Sequence, residues 1–454
     1  MVHLHCIGDL LSLRAQASTD AEAILAPGRA PLPYDALREQ LGATAAALRA
    51  RGVQRNDRVA IVVPNGPEAA TAFLGVSAAA TSAPLNPAYR AEEIEFYLTD
   101  LGATLLIVDA SLDTPARDVA VRLGIPVVEL THGGRAGAFS LGSDSCGGND
   151  VELAGPDDVA LVLHTSGTTS RPKQVPLTHA NICASARHIV AALALGPDDR
   201  CLNVMPLFHI HGLMAAVLAS LTAGGSVVCT PGLRVPEFFG WVEEYHPTWY
   251  TAVPTMHHAV LTGARARGER METSLRFIRS SSSALPAQTL TGLERMFGVP
   301  VIEAYGMTEA SHQMASNPLP PSARKQGSVG LAAGPEVAVM DAAGDLLPAG
   351  TTGEVVIRGP NVTSGYVGNP AANAAAFANG WFRTGDQGAM DEDGYLFLHG
   401  RLKELINRGG EKISPIEVDE VLLDHPAVAQ ALTFAIPHRT LGEEVGAVVV
   451  LSEP

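Results

Sequence analysis

Residues 161–173, with the sequence LVLHTSGTTSRPK, combine residue types that can bind a phosphate group. Small residues let backbone N–H groups converge on an anion, hydroxyl groups add hydrogen-bond donors, and Lys173 supplies positive charge. A Walker A loop has Gly directly before the Lys and Ser or Thr directly after it, whereas Pro172 and Gln174 flank Lys173. The segment predicts a phosphate loop of another geometry or, alternatively, an ordinary surface connection.

Alternating helical and strand patterns surround this loop and would position it. The apolar run before it predicts a buried strand. Upstream, PYDALREQLGATAAALRARGV predicts a helix, DRVAIVVPNG a strand and turn, and EAATAFLGVSAAATSAPLNP a helix. Residues 134–150, rich in Gly and Ser, predict a surface loop, and Thr178 is placed to cap a further helix. The alternation predicts an α/β architecture.

The pattern changes in the last part of the chain. From about residue 327 onward, GEVVIRGPNV and DGYLFLHGR predict short strands with Gly turns, which indicates a β-rich subdomain. A helix is then predicted with Ser414 as N-cap, Pro415 in the first position and Glu417 completing a capping box. The following residues predict a strand, a turn and a strand. A second domain is therefore predicted to begin near Arg401.

Composition excludes several classes of protein. At 454 residues, 46% of them hydrophobic, the chain is long enough for two or three domains. The net charge of -16, from 31 Lys and Arg against 47 Asp and Glu, argues against nucleic-acid partners and anionic membranes. The five cysteines form no CxxC pair, and no apolar run reaches membrane-spanning length. We expect a cytoplasmic protein without membrane insertion.

Five motifs, taken together, resemble a known family. They are TSGTTSRPK, MPLFHIHG, EAYGMTE, GWFRTGD and GRLKELINRGGEKISPIEVDEVL. In this order and spacing they resemble the adenylate-forming superfamily of acyl-CoA synthetases, luciferases and peptide-synthetase adenylation domains, over nearly the whole chain. HTSGTTSRPKQVPLTH, AVPTMHHAVL and EAYGMTEASHQMASNPLP are most similar to the oxalate-CoA ligase group. Ser170 and Gln174 depart from the usual family motif, which has Gly at both positions, and Ser170 fits the oxalate-ligase-like group.

The resemblance implies the architecture of the chain. It implies an α/β fold with a large N-terminal adenylation domain over residues 1–400, built from two α/β sheets and a small β subdomain. A short, incomplete α+β C-terminal domain would occupy residues 401–454. Family members carry a late Lys, in a Gly-Lys sequence, that reaches the acyl carboxylate and α-phosphate during adenylation. The sequence to Pro454 lacks it, so we expect a fragment or natural truncation that binds nucleotide but adenylates weakly.

The implied reaction consumes ATP, Mg²⁺ and coenzyme A. A carboxylate attacks the α-phosphorus to form an acyl-AMP and pyrophosphate, and the thiol of coenzyme A then displaces AMP. The resemblance implies catalytic roles for Lys173, Thr308, Glu309 and His209, with Glu309 as the Mg²⁺ ligand. Without the family, an isolated pair such as Thr308–Glu309 is more often a helix cap.

Nucleotide binding is implied for a larger set of residues. These are Thr165, Ser166, Gly167, Thr168, Thr169, Ser283, Ala284, Ala304, Tyr305, Gly306, Asp386 and Arg401. Tyr305 would stack on adenine, Asp386 would accept hydrogen bonds from the ribose hydroxyls, and Arg401 would reinforce that end. Asp386 is also typical of a simple turn. Lys403 stands at the hinge of the family, before the Gly-rich NRGGEK segment, which is otherwise an ordinary loop.

The acid-binding residues predict a small substrate. The resemblance implies an acyl pocket containing His209, His211, Ser282, Met307 and His312. Several polar groups at its closed end favour a small dicarboxylate, because a desolvated second carboxylate needs partners. Arg279 is a further candidate partner. Alternatively, these polar groups satisfy one another.

We therefore expect an ATP-dependent acid-CoA ligase for oxalate or another small dicarboxylate. The alternatives are a medium-chain fatty or aryl acid-CoA ligase, an adenylation domain that loads a carrier protein, and a truncated nucleotide-binding module. The expected partners are a small carboxylic acid, ATP and coenzyme A, and a homodimer is possible.

Overall fold

The computed structural model of the protein describes residues 5–142, 152–165, 172–268, 270–423, 425 and 427–451. The helices in this part of the chain are α1 Ile7–Ala17, α2 Tyr34–Ala50, α3 Pro67–Ser77, α4 Ala91–Leu101, α5 Ala116–Arg122, α6 His179–Ala192, α7 Ala219–Ala223, α8 Val235–Tyr245, α9 Pro254–Arg267, α10 Ala287–Phe297, α11 Pro370–Ala376 and α12 Pro415–Leu423. A π-helix spans His211–Leu218 and a 3-10 turn spans Thr308–Ala310.

The strands form four sheets. In chain order they are β1 Glu22–Leu25, β2 Leu32–Pro33, β3 Arg58–Val62, β4 Thr81–Pro84, β5 Leu105–Asp109, β6 Val127–His132, β7 Phe139–Leu141, β8 Val159–Thr165, β9 Lys173–Thr178, β10 Arg200–Asn203, β11 Ser226–Cys229, β12 Trp249–Ala252, β13 Phe277–Ser280, β14 Val301–Met307, β15 His312–Ser316, β16 Leu331–Ala332, β17 Glu336–Met340, β18 Gly353–Arg358, β19 Phe377–Ala378, β20 Trp381–Met390, β21 Leu396–Arg401, β22 Ile406–Arg408, β23 Glu411–Ile413, β24 Val428–His438 and β25 Gly442–Leu451.

The seven-stranded sheet has the order β7-β6-β5-β3-β4-β8-β9 and carries the predicted phosphate loop. Its inner strands β6, β5, β3, β4 and β8 are parallel. The apolar side chains of β5, β3, β4 and β8 are buried on both faces, as expected for covered parallel strands. At one edge β9 pairs antiparallel with β8, so that Thr165 lies opposite Lys173 in the ladder. The sheet thus holds both ends of the loop together.

The nine-stranded sheet has the order β16-β15-β14-β13-β12-β10-β11-β1-β2 and positions the other motifs. Strands β10, β12, β13 and β14 are mutually parallel, so their carboxyl ends meet at one edge. The predicted acid-pocket and metal-binding residues follow β10, β13 and β14 directly. Side chains more than one hundred residues apart in the sequence therefore converge at this edge.

One apolar core joins three of the sheets. It contains Leu161 of the seven-stranded sheet, Trp249 and Phe277 of the nine-stranded sheet, and Phe382 of the five-stranded sheet. Each of these side chains is at least 95% buried. Because the sheets share a close-packed core, the loops at their edges keep fixed relative positions.

The last two sheets lie in the part of the chain where the sequence pattern predicts short strands. Strands β17-β18-β20-β19, with β21 beside β20, form the five-stranded β subdomain. The four-stranded sheet β23-β22-β25-β24 follows with α12, whose N-cap Ser414 accepts a hydrogen bond from the Glu417 N–H at 3.4 Å. The predicted α/β fold class is confirmed, and the domain boundary near Arg401 stays a prediction.

Two local expectations need comment. The predicted loop over residues 134–150 contains the short strand β7, because Phe139 exchanges backbone-to-side-chain hydrogen bonds with Gln40 and buries its ring beneath α2. Residues 143–150 lie outside the described part.

Cys6, Cys183, Cys201 and Cys229 are buried and free, as expected for structural cysteines. Among the described residues, every helix is too short or too polar to cross a bilayer.

Candidate active site

Lys173 and Glu309 approach each other at the junction of three sheets, with Tyr366 between them. The Tyr366 hydroxyl donates a hydrogen bond to Glu309 Oε1 at 2.9 Å, and the Lys173 ammonium lies 4.5 Å from the centroid of the Tyr366 ring. Glu309 is 5% exposed, and burial raises the pKa of its carboxyl above the ordinary value. A buried carboxylate with one neutral donor can accept a cation.

Tyr305, Asp386 and Arg401 form a second charged group. The Tyr305 hydroxyl donates to Asp386 Oδ2, and Arg401 Nε lies 3.0 Å from Asp386 Oδ1. Asp386 and Arg401 are direct neighbours across strands β20 and β21. Burial raises the pKa of Asp386, while Arg401 and the Tyr305 hydrogen bond oppose that rise. Asp386 is therefore a buried acceptor that already has two partners.

The two ends of the predicted phosphate loop are tied to α4. Gln174, the departure from the family motif, is buried, and its side-chain amide donates to the Asp100 carbonyl at 2.5 Å and to Asp100 Oδ2 at 2.8 Å. His164 Nε2 lies 3.0 Å from the same carboxylate. Thus β8 and β9 share one anchor. The predicted loop residues outside the described part are Ser166, Gly167, Thr168 and Thr169.

A buried polar cluster lies at the carboxyl ends of β12 and β13; we call Thr251, Arg279, His211, His312 and Gln313 the acid cluster. His211 Nε2 lies 2.6 Å from Thr251 Oγ1, and the His211 and His312 rings stack with centroids 4.8 Å apart. Arg279 Nη1 lies 3.3 Å from Thr251 Oγ1, and Nη2 lies 3.4 Å from Gln313 Oε1. All five side chains are at least 98% buried.

The acid cluster carries a positive charge without a negative one. The hydrogen-bond partners of Arg279 in this cluster are all neutral. Within the described residues, no carboxylate forms an ion pair with Arg279. Burial lowers the pKa of Arg279 to about 10. Burial, and then the Arg279 charge, lower the pKa of His211 and His312 well below the ordinary value, so both rings are neutral. The charge of Arg279 is therefore buried without a negative charge that would offset the cost of its desolvation.

Two donor-bearing groups of the acid cluster also lack partners. Within the described part, His312 Nε2 and Arg279 Nε are buried and have no hydrogen-bond partner. Unpaired buried polar groups are rare, and each one marks a strained or functional position. The acid cluster therefore has unused hydrogen-bonding capacity in addition to its uncompensated charge.

The backbone around the acid cluster is strained. Ser282, Ser311 and His312 have positive φ angles of 78°, 49° and 94°, although none is Gly. Ser282 Oγ and His211 Nδ1 share a hydrogen bond at 3.0 Å. A Cβ at Gly306 would lie 2.0 Å from the His312 carbonyl oxygen, so only Gly fits there. Strain of this kind concentrates at binding sites.

Several of the predicted site residues lie along one edge of the nine-stranded sheet. Met307 is the ladder partner of His312, and Ala304 and Gly306 lie in the same strand, β14. Thr308 begins the 3-10 turn that carries Glu309. His211 connects the predicted acid-pocket residues: it shares a hydrogen bond with Ser282, and its ring stacks on the ring of His312.

Other predicted residues lie apart from these contacts. His209 is exposed, with its ring 4.5 Å from that of Phe208. Ser283 and Ala284 are exposed and line a cavity of about 390 Å³ whose other walls come from α9, α10, α12 and β24. Lys403 is exposed in the turn after β21. Their predicted roles need a bound ligand or a domain movement.

The structure adds residues that no sequence motif singles out. Tyr366 and Gln313 contact predicted site residues, and Thr251 bonds to His211. Tyr366 occurs in the segment TSGYVGNP, whose small residues carry no chemical pattern beyond that of a loop. Within the described residues, no group of three or more His, Cys, Asp or Glu is arranged to hold a metal ion.

Comparison with known proteins agrees with this geometry. A model of the family described as AMP-binding enzyme matches residues 11–367. The chain is 47% identical to the probable CoA ligase CCL9 of Humulus lupulus, over 98% of this chain and 86% of that protein. It is 46% identical to an oxalate–CoA ligase of Arabidopsis thaliana, over 98% of this chain and 89% of that protein.

A solved structure gives the same result. O-succinylbenzoate coenzyme A synthetase (MenE) from Bacillus subtilis, in complex with ATP and magnesium ion, superposes with a TM-score of 0.85 and 29% identity. The match covers 98% of this chain and 90% of that chain.

The chain belongs to the family of AMP-binding enzymes. The resemblance to the adenylate-forming superfamily, and within it to oxalate-CoA ligases, is thereby confirmed. The protein is an AMP-forming acid-CoA ligase that uses ATP, Mg²⁺ and coenzyme A, and a carboxylic acid is its third substrate.

Proposed function

We propose that the protein converts a short dicarboxylic acid, with oxalate as the first candidate, into its coenzyme A thioester. The observation that carries this proposal is the buried Arg279 guanidinium, whose described partners are all neutral. A buried cation is costly until an anion pairs with it. The name of the Arabidopsis relative, an oxalate–CoA ligase at 46% identity, supports the same choice.

The acid cluster suits a short and doubly charged substrate. One carboxylate of the acid must face the α-phosphorus, so the other would extend toward the cluster. Arg279 would supply the charge, and neutral His211 and His312 would supply ring N–H donors. An alkyl or aryl chain at the same position would leave these groups unpaired, at a cost of about 1–3 kcal/mol for each group. The cluster therefore favours a dicarboxylate over a fatty or aryl acid.

The nucleotide end would be formed by the two charged groups described above. Lys173 would face the β- and γ-phosphates, Thr308 would donate to the α-phosphate, and Glu309 would hold Mg²⁺. Bound there, Mg²⁺ supplies positive charge that neutralises the phosphates. Asp386 would accept hydrogen bonds from the ribose hydroxyls, and the ring of Tyr305 would face adenine. The raised pKa of the buried Glu309 carboxyl supports this assignment, because a cation offsets the cost of its ionisation.

The chemistry then follows the two half-reactions of the class. A carboxylate oxygen forms a bond to the α-phosphorus as the bond to pyrophosphate breaks. The thiolate of coenzyme A next attacks the acyl carbon, and AMP leaves with the bonding electron pair. The donors that hold the phosphates act where negative charge develops, which is the largest contribution in most such sites.

Some assignments stay predictions of their own. The assignment of Lys403 as a hinge, with a domain boundary near Arg401, predicts that a protease cleaves the chain close to the turn after β21. A homodimer predicts twice the mass of the chain in sedimentation velocity, and a cytoplasmic location predicts recovery in the cytosolic fraction. The predicted phosphate donors are Ser166, Gly167, Thr168 and Thr169, together with Thr165; the predicted adenine loop is Ser283 and Ala284; and the predicted wall of the acid pocket is His209 and Met307.

The test is a panel of acids. Pyrophosphate release with Mg-ATP, and consumption of coenzyme A, are measured with oxalate, malonate, acetate, octanoate and benzoate. We expect oxalate or malonate to give at least tenfold faster release than the monocarboxylic acids, because one charge-assisted contact is worth about 1.5–3 kcal/mol. Faster release with octanoate or benzoate would contradict the proposal and leave the acid cluster as a structural feature of the wall.

A further inference from the structure

Lys173 and Glu309 belong to different sheets. Lys173 begins β9 of the seven-stranded sheet, and Glu309 lies in the turn after β14 of the nine-stranded sheet. Because each sheet's ladder fixes only its own strands, the distance between the two charges depends on contacts between the sheets. The proposed function needs both charges on one triphosphate.

A loop segment from the third sheet connects these two positions; we call residues 360–367, which follow β18, the strap. The Thr363 N–H donates to the Glu309 carbonyl oxygen at 2.7 Å, and Thr363 Oγ1 donates to the Pro176 carbonyl oxygen of β9 at 2.8 Å. The Val367 N–H donates to the backbone of β9 at 3.1 Å. The strap is thus hydrogen-bonded to the carriers of both charges.

Tyr366 extends this connection from backbone to side chains. It is 8% exposed, and its own backbone is bracketed by Asn373, whose side chain accepts from the Tyr366 N–H at 2.7 Å and donates to its carbonyl at 3.0 Å. Its ring lies 6.5 Å from that of Phe382. The ring therefore has a fixed position before any ligand binds.

We infer that Tyr366 is a positioning residue of the ligase reaction. Its hydroxyl orients the Glu309 carboxylate toward the metal, and its ring face holds the Lys173 ammonium at the phosphate end of the site. The inference rests on the proposed function of Glu309 and Lys173.

The two contacts of Tyr366 can be removed separately, because one depends on its hydroxyl and the other on its ring face. The hydroxyl makes the hydrogen bond to Glu309, and it donates to a charged acceptor, which strengthens the bond. The ring face attracts a cation through its quadrupole and needs no hydroxyl for this. Tyr366→Phe therefore removes the first contact alone, and Tyr366→Leu removes both.

The experiment compares the dissociation constants of ATP with and without Mg²⁺, measured by titration calorimetry. For the wild type we expect Mg²⁺ to tighten ATP binding. In Tyr366→Phe we expect about a tenfold loss of that enhancement, the size of one hydrogen bond to a charged group, with metal-free binding unchanged within about twofold. In Tyr366→Leu metal-free binding weakens as well, because Lys173 loses its platform, by about two- to fivefold.

Tyr395 provides a matched control. It is also buried, its hydroxyl donates to the Ala323 carbonyl at 2.5 Å, and the Lys325 ammonium lies 4.6 Å from its ring centroid. It directly precedes β21, and its partners in the described part of the chain, Ala323, Lys325 and Asp391, lie outside the site. Tyr395→Phe removes the same atoms in the same kind of environment, so we expect its Mg²⁺ enhancement to equal that of the wild type.

Kinetics give a second readout. In Tyr366→Phe the KM for Mg-ATP rises about tenfold while the KM for the acid stays constant, which a general loss of folded protein would not produce. Equal Mg²⁺ enhancement in Tyr366→Phe, Tyr395→Phe and the wild type would overturn the inference. If the wild type itself binds no ATP, the proposed function fails instead, so the two failures are distinguishable.

Discussion

The two ends of the site solve the problem of buried charge in opposite ways. At the nucleotide end both buried carboxylates already have partners: Asp386 pairs with Arg401 and Tyr305, and Glu309 accepts from Tyr366. In the acid cluster the charge is a cation with only neutral neighbours. At the nucleotide end Glu309 has one neutral donor and can accept a cation, while the acid cluster contains a cation and can accept an anion.

This difference indicates how each end selects its ligand. A ligand at the nucleotide end must bring a cation to Glu309, as Mg-ATP would, while Asp386 exchanges its present hydrogen-bond partners for those of the ligand. A ligand at the acid cluster must bring the missing negative charge, since a buried charge without a partner costs several kcal/mol. The same acid cluster therefore lowers stability in the free protein and provides specificity in the complex.

The largest expected effect comes from Glu309. Glu309→Gln removes the carboxylate proposed to hold Mg²⁺, so pyrophosphate release should fall about a hundredfold or more, equally for every acid. The measurement is the rate of release at saturating acid. Glu336→Gln, which breaks a surface ion pair with Arg358, is the control and should change nothing. A loss for oxalate alone would place Glu309 at the acid end.

Arg279 provides the sharpest contrast, because its removal should stabilise the protein. Arg279→Met replaces an uncompensated buried cation by an apolar chain of similar length, so the free energy of unfolding should rise by about 1–4 kcal/mol. Arg276→Met is the matched control: Arg276 pairs with Asp199 through two contacts of 2.9 Å, so its loss should destabilise. Thermal denaturation compares the signs, and a less stable Arg279→Met would show that the charge is compensated in the free protein.

The layer beneath Arg279 predicts a pH dependence. His257 Nε2–H donates to the Arg279 carbonyl oxygen at 3.1 Å, and Nδ1 of the neutral ring accepts from the Tyr250 hydroxyl at 3.2 Å. Burial lowers the pKa of His257 to about 4. Below the ordinary His pKa of about 6.5 the unfolded chain binds a proton that the folded chain refuses, so stability is lost as the pH falls.

The expected size of this loss is about 2 kcal/mol between pH 7 and pH 5 for His257 alone. His257→Gln should therefore have a smaller difference between its unfolding free energies at pH 7 and pH 5 than the wild type, by that amount. Denaturant titrations at the two pH values measure it. An unchanged difference would mean that the ring is already charged at pH 7.

The smallest effect is expected at Asp386. Asp386→Asn keeps the shape but removes the charge that pairs with Arg401, so the KM for ATP should rise about tenfold for every acid substrate. Steady-state kinetics at fixed acid measure this change. Asp391→Asn, which removes a charge paired with Lys325 at 2.5 Å outside the site, should leave the KM for ATP unchanged. A change in acid preference in Asp386→Asn would remove the distinction between the two ends.

The sequence predicted the elements better than the contacts. The apolar run before the phosphate loop, the Thr178 cap and the Ser414 cap all form as expected, because each depends on neighbouring residues. His211 and His312 lie about one hundred residues apart, and their stacking depends on the π-helix that begins at His211 and on the positive φ of His312. No local pattern specifies either.

The same reasoning explains why Tyr366 and Arg279 were harder to assign. Tyr366 reaches Glu309 because the strap is held by hydrogen bonds to segments that are distant in the sequence. Arg279 was a candidate by its residue type, but its importance comes from what surrounds it, namely full burial and neutral partners. Burial and the absence of a counter-charge are tertiary properties.

The most direct test of the account is the ratio of kcat/KM for oxalate to kcat/KM for acetate, measured side by side in the wild type and in Arg279→Met. The two acids share the reacting carboxylate and differ in the second one. We predict a ratio that strongly favours oxalate in the wild type and falls about 10- to 100-fold in the variant, with acetate almost unaffected. An equal ratio in both proteins would contradict the claim that the buried cation selects the second carboxylate.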